Sequence, residues 1–134
     1  MLFQLLEQKK FLLEQKELKP DQELLKRAYR IICHFERLKR AKIKFDKELP
    51  ENISGRYIVK YSKALIIPIR TEHKILIKPE KFWLLNLFHE VTHQILFYDL
   101  GYTGHGKKFN RLQEFLINKY FDRIYTGLLS YQNE

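Results

Sequence analysis

Three of the chain's five histidines fall within 23 residues, LFHEVTHQILFYDLGYTGHGKKF (87–109). His89 and His93 flank Glu90 in the pattern H-E-x-x-H, and His105 follows twelve residues later. On a helix, positions four apart differ by about 40° in direction and about 6 Å along the axis, so two imidazoles at that spacing can meet one ion. Glu90 is turned about 100° from His89, where a carboxylate borders the ion without binding it and can take a proton from water. Gly101, Gly104 and Gly106 are three of the five glycines in the chain. Glycine permits the left-handed backbone of a tight reversal, which would carry His105 back over His89 and His93. Three protein ligands with one open position is the catalytic zinc arrangement, whereas a structural site is closed by four. The bland alternative is that the three are ordinary core or surface histidines. Against it, the flanking helix is apolar nearly all round, and unpartnered imidazoles there would be costly.

These residues resemble the SprT-like (Spartan-type) metallopeptidases, in which H-E-x-x-H on a helix is followed by a short loop and G-H-G-x-x-F. Here the two motifs are HEVTH (89–93) and GHGKKF (104–109). The helix and small sheet before them, with KFDKEL and ILIKPE, are similar over about 21–120, and WLM-type relatives share much of the pattern. The resemblance implies a zincin-like fold and a zinc-dependent endopeptidase with one zinc per chain. His89, His93 and His105 would be the ligands and Glu90 the catalytic base. It also implies a link to DNA, single-stranded or crosslinked to the protein substrate. SprT proteins often carry a Cys-rich segment as well, but this chain has one cysteine, Cys33.

Several other residues could serve such a site. Tyr98, Tyr102 and Lys107 are near enough in sequence to be oxyanion or substrate contacts. Asp99 and Glu114 are candidate acceptors for the second N–H of a ligating imidazole. ILIKP (75–79), directly before the active helix, is the first candidate for a strand that pairs with an extended peptide. His34 and His73 lack ligand-type neighbours and read as structural or surface residues.

The elements that must position these groups follow from periodicity. Residues 2–18 read as a helix rich in leucine and charge. Asp21 is a plausible N-cap for a second helix running to about Arg40, with Leu24, Leu25, Ala28, Ile31, Ile32, Phe35 and Leu38 at helical spacing. In AKIKFDKEL, apolar and polar residues alternate as in a strand with one wet face. GRYIVKY begins a second strand, and ALIIPIR and KILIK are one or two more, with Pro68 marking an edge or a bulge. The active helix follows, and a last helix over about 107–124 buries Phe109, Leu112, Leu116 and Tyr120. Helices and strands segregated in this way predict an α+β domain with a small, mostly antiparallel sheet of three or four strands. At 134 residues the chain is one domain. Residues 1–20 read as an extra N-terminal helix, 21–124 as the core and 125–134 as a tail.

The net charge of +9 is concentrated in residues 1–70, which hold 17 Lys/Arg against 9 Asp/Glu. Such an excess favours polyanions. The run RLKRAKIK offers Arg37, Lys39, Arg40, Lys42 and Lys44 as contacts to nucleic-acid phosphates, although a solvated helix end and strand face read the same way. No apolar run is long enough for a membrane span, and no signal-peptide pattern opens the chain. The expectation is a soluble, intracellular, cytoplasmic protein, associated with nucleoid or nucleus if it binds DNA. A monomer is expected, with the N-terminal helix as the element that could mediate association. The competing reading is a non-enzymatic basic nucleic-acid-binding protein on a zincin-like scaffold.

Overall fold

The Asp21 carboxylate accepts the Glu23 and Leu24 amides at 2.8 and 3.2 Å. It thus caps the second of four helices and satisfies donors that have no partner within the helix. In the computed structural model the backbone is described for residues 1–64 and 67–134, and the side chains for 1–61 and 72–134. The order is α1 (Leu2–Gln15), α2 (Gln22–Glu36), β1 (Lys42–Phe45), β2 (Gly55–Ala64), β3 (Ile67–Ile77), α3 (Trp83–Leu100) and α4 (Lys107–Gln132). The protein is α+β, as its segregated periodicities predict.

The second helix ends at Glu36, short of Arg40. Arg37 adopts the left-handed region (φ 56°, ψ 47°), and Leu38 turns back to bond the Cys33 carbonyl at 2.9 Å. The basic run therefore spans the end of α2, a connection and a face of β1. A buried network fixes that connection to α3. The Tyr29 hydroxyl donates to Gln94 Oε1 at 2.8 Å and accepts the Ala41 amide at 2.8 Å. Gln94 Nε2 in turn donates to the Lys39 carbonyl at 2.8 Å.

The sheet is mixed, with strand order β1-β3-β2. β3 pairs parallel with β1 over Lys74–Ile77 and antiparallel with β2 along its length, with a register shift between Lys60 and Tyr61. Thus β3 is central and β2 is an edge, because β2 pairs only with β3 among the described residues. Pro68 lies opposite Lys63, beyond the short β1 ladder. Among the described residues β3 is flanked there by β2 alone, which accommodates a residue with no N–H to donate. Of ALIIPIR, Leu65 and Ile66 lie outside the described residues. Ile67–Ile77 is one strand that takes in PIR and all of KILIK but its last residue, Lys78.

The N-terminal segment forms the expected helix, α1, whereas the segment expected as a tail from 125 is helical to Gln132. The last helix continues to Gln132, because Ile124, Tyr125 and Leu128 keep its apolar stripe buried beyond 124. Its far end holds the N-terminal segment. The Tyr125 hydroxyl is bonded to the carbonyls of Leu12 and Lys16 at 2.8 and 2.7 Å, and Gln132 bonds both Glu17 and Lys19. Leu13 and Leu18 are fully buried, and Trp83 Nε1 donates to the Leu18 carbonyl at 3.0 Å. Residues 1–20 and 125–132 are therefore parts of one core. The same core takes Leu25 and Ile32 from α2, Ile75 and Ile77 from β3, Leu84, Phe88 and Val91 from α3, and Leu116, Phe121 and Ile124 from α4. With helices and sheet packed around it, α3 can be apolar on nearly every side.

Candidate metal centre and cleft

The two helical histidines share a face of α3, and the loop returns the third to them. Gly101, at φ 66°, reverses the chain at the end of α3, with its amide on the Phe97 carbonyl at 2.8 Å. Five residues later Gly106 is the N-cap of α4. Ring centroids are 4.9 Å apart for His89 and His93, 5.3 Å for His89 and His105, and 4.5 Å for His93 and His105. One nitrogen of each imidazole lies within 4.8 Å of the other two, and the His93 and His105 Nε2 atoms are 2.8 Å apart. Nitrogens bound tetrahedrally at about 2.0–2.1 Å from zinc stand roughly 3.3 Å from one another. The observed triangle needs only small rotations to match.

Phe109 supports all three rings. It is 1% exposed, and its ring centre lies 4.8, 4.6 and 4.9 Å from those of His89, His93 and His105. The last residue of GHGKKF is thus the floor of the site as well as part of the core. Burial, with the neighbouring imidazoles adding repulsion, lowers the pKa of His89 to about 4. His93 is likewise lowered to about 4, by burial and by His105. At neutral pH both are uncharged, the form in which imidazole binds a metal.

Glu90 is 4% exposed and lines the same cleft. Burial pushes its carboxyl up to about 7, opposed by the main-chain N–H of Tyr57, which donates to it. The carboxylate also presses on Gly55. A Cβ there would sit 2.9 Å from Oε2, 3.0 Å from Cγ and 3.2 Å from Cδ of Glu90. The start of β2 therefore braces the candidate base from both sides. Neither Gly55 nor Tyr57 stands out by sequence. The only hint is a glycine at the start of a strand, where close backbone approach is common.

The histidines and Glu90 open into a cleft of about 870 Å³, with β2 along one wall and α3 and the loop along the other. The outer strand facing it is β2, which lines the cleft through Gly55, Arg56, Tyr57, Val59 and Tyr61 and pairs only with β3 among the described residues. This corrects the expectation that placed a peptide-pairing strand at ILIKP. Ile75, Leu76 and Ile77 are buried and hydrogen-bonded between β1 and β2, so they present no edge. The hydrophobic density that marks the segment is that of a central strand.

The other candidate residues divide. Tyr102 lines the cleft, and its hydroxyl is bonded to the Gly106 amide. Lys107 is exposed at the first turn of α4 and is not among the cleft's lining residues. Tyr98 is nine residues from His89, about half a helical turn away in direction. It lines instead a second cavity of about 160 Å³, with Lys39, Arg40, Lys42 and His73. Asp99 is exposed at the end of α3, and Glu114 is engaged by the terminal amine of Met1 at 3.5 Å. Arg37, Lys39, Arg40, Lys42 and Lys44 are all exposed, and Lys42 pairs with Glu72 at 3.6 Å. His34 is an exposed residue edged against Phe35, while buried His73 shares a 2.9 Å hydrogen bond with the Tyr57 hydroxyl. No helix among the described residues is long and apolar enough to cross a membrane. No family model matches the chain, and neither does any curated protein or solved structure.

Proposed function

We propose that the protein is a zinc-dependent endopeptidase on a zincin-like scaffold, similar to the SprT-like metallopeptidases. The observation that carries this reading is the convergence of His89, His93 and His105 beside a buried carboxylate, at the wall of a cleft of about 870 Å³. The donor set suits zinc: three imidazoles, two of them held neutral, with a side left open as in catalytic rather than structural sites. Zinc held there supplies Lewis acidity, polarising a peptide carbonyl and acidifying water.

The chain's own residues supply the rest. The outer strand β2, which lines the cleft, is the element along which an extended substrate lies. Glu90 takes the proton from the attacking water and passes it to the departing amine. Its carboxylate is positioned for that exchange by burial and by the Tyr57 main-chain N–H. Tyr102, at the cleft wall, is the oxyanion candidate that the geometry retains.

Elemental analysis of protein purified without added metal tests the site. About one zinc per chain is expected, reduced in His105→Ala. Glu90→Gln should keep the zinc and lose cleavage of a denatured protein substrate by about 100-fold or more. Absence of metal even after zinc is supplied would overturn the enzyme reading. The exposed basic segment 37–44 supports a DNA-associated substrate, so cleavage is measured with and without single-stranded DNA. If Glu90→Ala left the biological activity intact, the non-enzymatic nucleic-acid-binding reading would stand instead.

A further inference from the structure

Two of the three candidate ligands are fixed by α3, but His105 is exposed on a loop. A ligand on a loop must be ordered when metal binds, and that ordering lowers affinity unless the fold has already imposed it. Tyr102 is placed to impose it. Its own amide is bonded to the Leu96 carbonyl at 3.2 Å, just after the reversal at Gly101, so its backbone is tied to α3. Its hydroxyl reaches the other end of the loop and accepts the Gly106 amide at 3.3 Å.

Between those anchors the side chain lies directly over the residues flanking His105. A Cβ on Gly104 would be 2.9 Å from the Tyr102 hydroxyl and 3.1 Å from Cζ, and one on Gly106 would be 3.1 Å from the hydroxyl. On the other side, the Lys108 ammonium stands 5.8 Å from the ring centre. A side chain at Gly104 would therefore displace Tyr102, and one at Gly106 would crowd its hydroxyl.

We propose that Tyr102 is the positioning residue for His105, holding the 101–106 loop in the shape that presents this ligand to His89 and His93 before metal arrives. The proposal rests on the metal-site reading above. Tyr102→Phe keeps the ring and removes the hydroxyl. The loss expected is that of one neutral hydrogen bond, about fivefold in zinc affinity. Gly106 is exposed, so its released amide turns to water and the metal-free fold is little affected. Gly104→Ala should weaken zinc binding further. Its penalty should shrink in the Tyr102→Phe background, where the nearest clashing atom is gone.

The experiment is competition for zinc against a chromophoric chelator, for wild type, both single variants and the double, with thermal melts of the metal-free forms. Weaker zinc binding by Tyr102→Phe, unchanged metal-free melting and a reduced Gly104→Ala penalty in the double variant are the expected results. If wild type binds zinc and Tyr102→Phe binds it as tightly, the positioning role is overturned while the metal site stands. A lowered metal-free melting temperature with additive penalties assigns Tyr102 a merely structural role, and also overturns it. If wild type takes up no zinc, the metal-site reading fails and the inference goes with it.

Discussion

Replacing Gly55 by alanine tests the brace on Glu90 without reference to activity. The added Cβ would stand 2.9–3.2 Å from three atoms of the Glu90 side chain, well inside the 3.5–4.0 Å at which carbon contacts are favourable. Neither partner yields easily. Gly55 is paired with Ile77 in the sheet, and Glu90 is buried in the middle of α3 with the Tyr57 amide on its carboxylate. Overpacking of this kind costs about 1–3 kcal/mol. Alanine for glycine at an unstrained site would instead gain up to about 1 kcal/mol through the unfolded chain, so the sign itself is informative. With a urea slope of about 2 kcal/mol per molar, a net loss of about 2 kcal/mol lowers the unfolding midpoint by roughly 1 M. In a Glu90→Asp background the carboxylate withdraws by one methylene, and the same substitution should cost at least about 1 kcal/mol less. Equal midpoint shifts in the two backgrounds, or no shift at all, would rule out a steric brace of Gly55 on Glu90.

Three further outcomes follow from the same physical accounting. Tyr29→Phe leaves the Ala41 amide and Gln94 Oε1 without their buried partner and should cost about 1–3 kcal/mol in urea unfolding. Arg37→Gly relieves a left-handed backbone (φ 56°) that L side chains disfavour; it should raise stability by up to about 1 kcal/mol, whereas Arg37→Ala should not. For the Glu36 carboxyl, burial alone would raise the pKa, but hydrogen bonds from the Tyr120 hydroxyl and the Lys119 ammonium, with the charge of Lys119, bring it below its ordinary 4.5. A depressed carboxyl stabilises the fold above its ordinary pKa and loses that contribution as pH falls through the folded value. The stability gap between wild type and Glu36→Gln should thus be open at pH 7 and close in acid below 4.5, as read from unfolding midpoints across that range.

The α+β order, the capping by Asp21 and the shared face of His89 and His93 were legible from local rules. Each depends on residues within a few positions of one another, where helical period and cap chemistry act directly. The glycines around His105 signalled a reversal for the same reason. What local rules could not supply was which segments meet. The hydrophobic run ILIKP has the composition of a strand, but whether that strand is central or outer depends on β1 and β2 finding it, and the outer position beside the cleft went to β2. The chain ends looked like additions because their apolar residues have no sequence neighbours to pack on. Tyr125 and Gln132 close on residues more than a hundred positions away. Tyr98 and Tyr102 are four residues apart, yet the end of α3 between them sends one to the far cavity and the other to the cleft. The brace of Gly55 and Tyr57 on Glu90 joins a strand to a helix across 35 residues of chain. By itself, then, the sequence determined the chemical types at the site and the helix that aligns two of them. Only the tertiary structure decided which strand walls the cleft, what holds the carboxylate, and how the loop returns His105, because those contacts are formed by long-range packing and leave no periodic trace in the residues that make them.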